Sequence, residues 1–221
     1  MGIYENESWM ELPDSLMRPG GFKLTQRLLD VSGLAIKSWI LDLGCGLGGT
    51  VDYLNTLGFR AVGVDCSEKL IQHGRIKYPN ADLLVARGEN LPFGDKTLDA
   101  VLAECSLSTT KLQIVLNECA RILKKSGKLL ISDVYARQQT DKNALHVIEV
   151  GNFIRRTKWE ELLDLCGFKL LLWEDHTAVW KKFLAQFIWE SGSLAGLIDC
   201  AKAEQVINAR PGYFLALAMK Q

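Results

Sequence analysis

No apolar run in the 221 residues is long enough to cross a bilayer, so no membrane insertion is expected. Excess charge is also missing. The 26 basic and 26 acidic residues cancel, and Lys and Arg nowhere form a run, so nucleic acid is not an expected partner. Met1 to Met10 has neither a basic n-region nor an apolar h-region, which predicts no signal peptide. C-x-x-C pairs are absent as well: Cys45, Cys66, Cys105, Cys119, Cys166 and Cys200 are scattered, and a chain this long needs no disulfide staples. Free thiols, a cytoplasmic location and no metal site are the expectations. Repeats and low-complexity segments are missing too. What remains is ordinary globular composition, 48% apolar and 24% charged, enough for one large α/β domain.

From Ser38 onward short apolar runs alternate with helical patterns, which argues for a parallel sheet with covering helices. Strands are expected at 38–43, 60–65, 82–86, 98–104, 127–134, 168–174 and 212–219. Between them, one helix carries Val51, Leu54 and Leu57 and stops at Gly58. The next begins at the N-cap Ser67 and ends before Pro79. Thr110-x-x-Gln113 and Thr157-x-x-Glu160 read as capping boxes opening two more, which end at Gly127 and Gly167. Residues 1–37 form an N-terminal helical segment or lid before a domain at 38–221. Within that domain, 175–210 reads as a helical insertion. In the insertion Trp180, Phe183, Leu184, Phe187 and Ile188 recur at helical spacing, and a second helical piece is expected near 199–209. Trp189 falls off that stripe and is left for ligand, the N-terminal segment or a second subunit, so a homodimer stays open.

The informative segment is Ile40-Leu41-Asp42-Leu43-Gly44-Cys45-Gly46-Leu47-Gly48-Gly49-Thr50, an apolar strand running into a glycine turn and then a helix. Glycines suit backbone that turns tightly against a ligand, and the helix start offers free N–H groups. Gly44, Gly46 and Gly49 satisfy G-x-G-x-x-G, so a dinucleotide enzyme is one reading. Asp42 opposes it. A carboxylate at that strand end repels a pyrophosphate but attracts the ammonium and sulfonium of S-adenosylmethionine. Asp65, 21 residues after Gly44, closes the second strand where an acid accepts from ribose hydroxyls. Ala86-Arg87-Gly88-Glu89 makes a turn after the third strand, and the fourth ends in Glu104-Cys105 at the expected pocket mouth.

These motifs, in this order, resemble the class I S-adenosylmethionine-dependent methyltransferases, and among them the small-molecule group that includes the ubiquinone and menaquinone methyltransferases. The resemblance spans about residues 36–135. It rests on Leu41–Gly48, Gly63–Ser67, Glu89–Phe93, Leu98-Asp99 and Arg121–Leu130. It implies a Rossmann-like seven-stranded sheet, mostly parallel with an antiparallel last strand, and helices on both faces. The implied activity is methyl transfer from S-adenosyl-L-methionine to a small-molecule acceptor, leaving S-adenosyl-L-homocysteine. By the same resemblance Asp42, Gly44, Cys45, Gly46 and Gly48 line the methionine part, and Asp65 holds the ribose. Cys66, Gly88 and Glu89 flank the adenine, and Glu104 and Cys105 sit near the sulfonium. Arg87 departs from the pattern, because many relatives carry an acid there for the adenine amino group.

In-line transfer from a sulfonium needs alignment and dryness more than acid–base groups, so no invariant catalytic signature is expected. His146, His176, Glu104 and Tyr135 are the candidate bases, and Cys105, His176 and Trp180 the candidate acceptor contacts. Cys105 follows the fourth strand, where cytosine-C5 enzymes place a nucleophile after proline, but Glu104 stands in the proline's place. Two alternatives remain: a metalloid or thiol methyltransferase, suggested mildly by the six cysteines, and a fold relative that binds the cofactor without catalysis.

Overall fold

A computed structural model describes residues 18–138, 153–191 and 210–221. The chain enters through α1 (Phe22–Ser32) and then alternates: β1 (Trp39–Leu43), α2 (Gly49–Thr56), β2 (Arg60–Asp65), α3 (Glu68–Lys77) and β3 (Asp82–Val85). There follow β4 (Leu98–Glu104), α4 (Leu112–Ile122), β5 (Leu123–Ala136), α5 (Arg156–Leu165), β6 (Phe168–Asp175), α6 (Thr177–Ser191) and β7 (Pro211–Lys220). The strands form one sheet in the order β3-β2-β1-β4-β5-β7-β6. β1 to β5 pair in parallel, and β7 lies antiparallel between β5 and β6.

Both faces of this sheet are covered, which is why its central strands read as continuous apolar runs. Successive side chains point to opposite faces, and the core divides accordingly. Ile40, Leu102, Leu130 and Leu215 face Leu28 of α1, Leu54 of α2, Ile71 of α3 and Phe183 of α6. Leu41, Val101, Leu129 and Phe214 face Leu116 of α4 and Trp159 of α5. The alternation of β1 therefore sends Asp42 to the same side as Ile40, yet at the carboxyl end of the sheet.

Several boundaries differ from expectation. β5 begins at Leu123, not at 127, because Leu123 leaves the helical region (φ −72, ψ 139) and pairs at once with Leu98. Neither threonine capping box forms. The Thr110 hydroxyl donates to the Leu107 carbonyl and closes a short 3₁₀ turn (Leu107–Thr109), leaving Lys111 at the helix start without a side-chain cap. α5 starts at Arg156, whose guanidinium takes Glu160 as an ion-pair partner. Ser67, by contrast, caps α3 by accepting from the Leu70 N–H.

In α6 the stripe of Trp180, Phe183 and Phe187 is buried against the sheet, with Trp180 stacked on Tyr213 at 6.2 Å. Trp189 is 89% exposed. The helical piece expected near 199–209 and His146 lie outside the described residues. No described helix is long and apolar enough to cross a membrane.

Candidate cofactor and acceptor site

The parallel strands β1, β2 and β4 end together, and a cavity of about 300 Å³ opens over those ends. Such a crevice at the carboxyl edge is where open α/β sheets bind ligands. The glycine turn after β1 forms one wall. Its N–H groups are tied down: those of Gly44 and Cys45 donate to the Val64 carbonyl at 2.8 and 3.1 Å, and that of Gly46 donates to Asp65 Oδ2 at 2.9 Å. Gly44 has φ +81, and a Cβ there would lie 2.5 Å from Ser106 Cβ. At Gly46 (φ +54) an added Cβ would meet nothing within 4 Å, so that glycine borders open cavity.

Three carboxylates face the cavity. Asp65 also receives the Ser67 N–H on Oδ1 at 2.8 Å, so each of its oxygens has one protein partner and one lone pair to spare. Asp42 is buried, and burial first, then Glu104 and Asp65, push its carboxyl up to about 8, with Arg18 opposing them. Glu104 is buried too and raised chiefly by burial, held in check by Arg18 and by the hydroxyls of Thr25 and Ser132. Thr25 Oγ1 reaches its two oxygens at 2.9 and 3.1 Å, and Arg18 Nε lies 3.0 Å from Oε2.

Cys105 follows in a left-handed conformation (φ +55), uncommon for any residue with a side chain and typical of a functional turn. Its Sγ lies 3.1 Å from Tyr213 Oη, and that hydroxyl donates to Ser132 Oγ at 3.0 Å, so the thiol is the donor to the phenol oxygen. Burial first and then Asp133 push the thiol up, which keeps it neutral. A neutral thiol is a poor nucleophile and a poor ligand for a soft acceptor.

With this geometry the chain matches the methyltransferase domain family over residues 41–131. An uncharacterized methyltransferase of Synechocystis is 30% identical over 142 residues, covering 60% of this chain and 67% of the relative. The chain belongs to the methyltransferase family. Another relative, the uncharacterized methyltransferase YodH of Bacillus subtilis, is 28% identical over 159 residues, 68% of each chain. Among solved structures, the phosphoethanolamine N-methyltransferase 2 of Haemonchus contortus superposes with a TM-score of 0.74 at 17% identity. It covers 99% of this chain and 56% of that one, and establishes likeness of fold.

The methyltransferase uses S-adenosylmethionine as methyl donor. The cavity fits that donor in two respects. Gly46 leaves room for backbone approach, and Asp42 with Glu104 place two buried acids against one guanidinium, so Asp42 holds its proton until a cationic ligand joins it.

Of the residues singled out from sequence, Asp42, Gly44, Gly46, Asp65, Cys66, Gly88, Glu104 and Cys105 meet at the cavity. Others stand behind it. Cys45 turns its sulfur toward Gly63, and Gly48 packs on Leu83. Glu89 lies beside Arg87, 3.7 Å from its Nε. The Arg87 side chain is 78% exposed and does not line the cavity, whose wall includes Gly88 and Leu70. His176 pairs with Glu174 at 3.1 Å, and Trp180 sits in the core, so neither lines the cavity. Tyr135 donates to Asp175, away from it. Sequence reasoning assigned no role to Arg18, Thr25 or Ser106. Ser106 Oγ donates to the Leu43 carbonyl at 2.7 Å and braces the turn. No local spacing marks Arg18, because its partner Glu104 is far along the chain. Among the described residues no group of three or more His, Cys, Asp or Glu is placed to hold a metal ion.

Proposed function

We propose that the cofactor lies across the ends of β1, β2 and β4, with its methionyl end over Gly44 and Gly46, its ribose at Asp65 and its adenine beside Gly88. The acceptor enters on the Glu104–Cys105 side. The observation that carries this reading is the pair of buried carboxyls, Asp42 and Glu104, set against the single guanidinium of Arg18: Asp42 keeps its proton until a cation joins it, which favours a ligand bearing ammonium and sulfonium over one bearing pyrophosphate. The bound cofactor supplies an electrophilic methyl on a cationic sulfur. The protein's share is to align the acceptor with that methyl and keep water out. Glu104 is occupied by Arg18 and Thr25, and the Cys105 thiol is neutral, so neither is set up as a general base.

The same reading assigns residues 1–37 a covering role, supported by Arg18 at the cavity wall. For 175–210 the support is weaker, since none of the described residues 175–191 lines the cavity. A cytoplasmic location is supported by the five free cysteines among the described residues, and self-association by exposed Trp189. Incubation with methyl-labelled S-adenosylmethionine and a cell extract tests the acceptor class. Label is expected in the small-molecule fraction, and label confined to protein or nucleic acid would contradict the reading.

A further inference from the structure

Arg18 is the single basic side chain among the described residues lining the cavity, against the acids Asp42, Asp65 and Glu104. Its side chain is 11% exposed. It is held from several directions. Nη2 donates to Thr25 Oγ1 at 2.9 Å, Thr25 donates on to Glu104, and the Phe22 ring lies 5.2 Å from the guanidinium carbon. Phe22 in turn stacks on Tyr53 at 4.5 Å. The backbone behind it turns through Gly20 (φ +74) and Gly21 (φ +48), with Gly20 pressed against Leu24 of α1 and Val179 of α6. The guanidinium is therefore fixed in place.

It is also under-used. Nε lies 3.0 Å from Glu104 but is out of line for a hydrogen bond, a buried donor without an acceptor. Nη1 has no hydrogen-bond partner among the described residues. An arginine present only to neutralise Glu104 would take it bidentately. A buried guanidinium Nε without an acceptor is costly unless a ligand completes it. The cofactor carries one anionic group, the α-carboxylate of its methionyl end, and Asp42, Glu104 and Asp65 would all repel it.

We propose that Arg18 receives this α-carboxylate, with Glu104 and Thr25 as positioning residues that hold the guanidinium for it. The inference rests on the cofactor reading above. It makes the cofactor site bipartite, with the family-matched residues 41–131 completed by a strap that precedes them.

The test is calorimetric binding of three ligands to the full chain: S-adenosylhomocysteine, its decarboxylated analogue (which keeps the amine), and methylthioadenosine, which lacks both groups. Wild type is expected to prefer S-adenosylhomocysteine over the decarboxylated analogue by roughly tenfold to a hundredfold, the range of a charge-assisted hydrogen bond. Arg18→Gln should erase that preference, weakening S-adenosylhomocysteine by about the same factor and leaving methylthioadenosine unchanged. Because Arg18→Gln strands Glu104, the double variant Arg18→Gln/Glu104→Gln, verified by its melting curve, serves as the folded counterpart and should show the same erased preference. Equal weakening of all three ligands would overturn the proposal, as would an intact preference in either variant. If wild type binds none of the three, the cofactor reading itself falls.

Discussion

Asp42 carries its proton to unusually high pH because it is buried beside Glu104, and Asp65 adds to the effect while Arg18 opposes it. A cation seated against it favours the ionised form, so binding S-adenosylmethionine near neutrality must expel a proton. Affinity is then expected to rise about tenfold per pH unit up to roughly pH 8 and to flatten above it. Asp42→Asn should flatten the whole profile. Calorimetry in buffers of different ionisation enthalpy reads the released proton directly. The sign for folding is opposite. The folded state holds this proton more tightly than the unfolded chain, whose carboxyl titrates at the ordinary 3.8. Asp42 therefore costs stability progressively as pH rises from there to about 8. Asp65 adds a second residue-level expectation. It clamps Gly46 and Ser67 and has lone pairs left for the ribose, so Asp65→Ala should weaken S-adenosylhomocysteine by at least about 1.5–3 kcal/mol by calorimetry. Unchanged affinity would remove it from the site. At this scale the acids and glycines were legible because their chemistry lies in local spacing, strand then turn then helix. Arg18 was not, because its clamp closes across the chain: Thr25 and Glu104 are 79 residues apart.

For the elements, the glycine turn gives the sharpest contrast. Gly44→Ala forces a side chain into a left-handed residue and into Ser106. Melting and denaturant curves should show a loss of about 1–3 kcal/mol or more, together with lost cofactor binding. Gly46→Ala adds a methyl to open space, so the stability cost should stay near 1 kcal/mol while affinity still falls. Equal stability losses at the two positions would mean that the turn is not built as described. Strand positions were readable here, since buried parallel strands are unbroken apolar runs. Helix starts were less so. A threonine hydroxyl can cap forward or bond backward, and Thr110 bonds backward to Leu107, a choice fixed by the turn before it. The α6 stripe was readable as a helix, but an apolar face serves a lid and a core equally, and Trp180 went to the core.

Taken as a molecule, the sheet gathers three strand ends, a glycine turn and an N-terminal strap around one acid-rich cavity, and family membership gives that cavity its chemistry. This cavity is expected to take S-adenosylmethionine and not a dinucleotide. A ligand bound only by the folded state raises its melting temperature. At one hundred times its dissociation constant the gain is about 2.7 kcal/mol, or roughly 5–10 °C for a chain of this size. The most direct measurement is therefore a pair of melting curves, one with S-adenosylhomocysteine and one with NAD. A shift of that order with S-adenosylhomocysteine and none with NAD is the expected result; a shift with NAD and none with S-adenosylhomocysteine would contradict it.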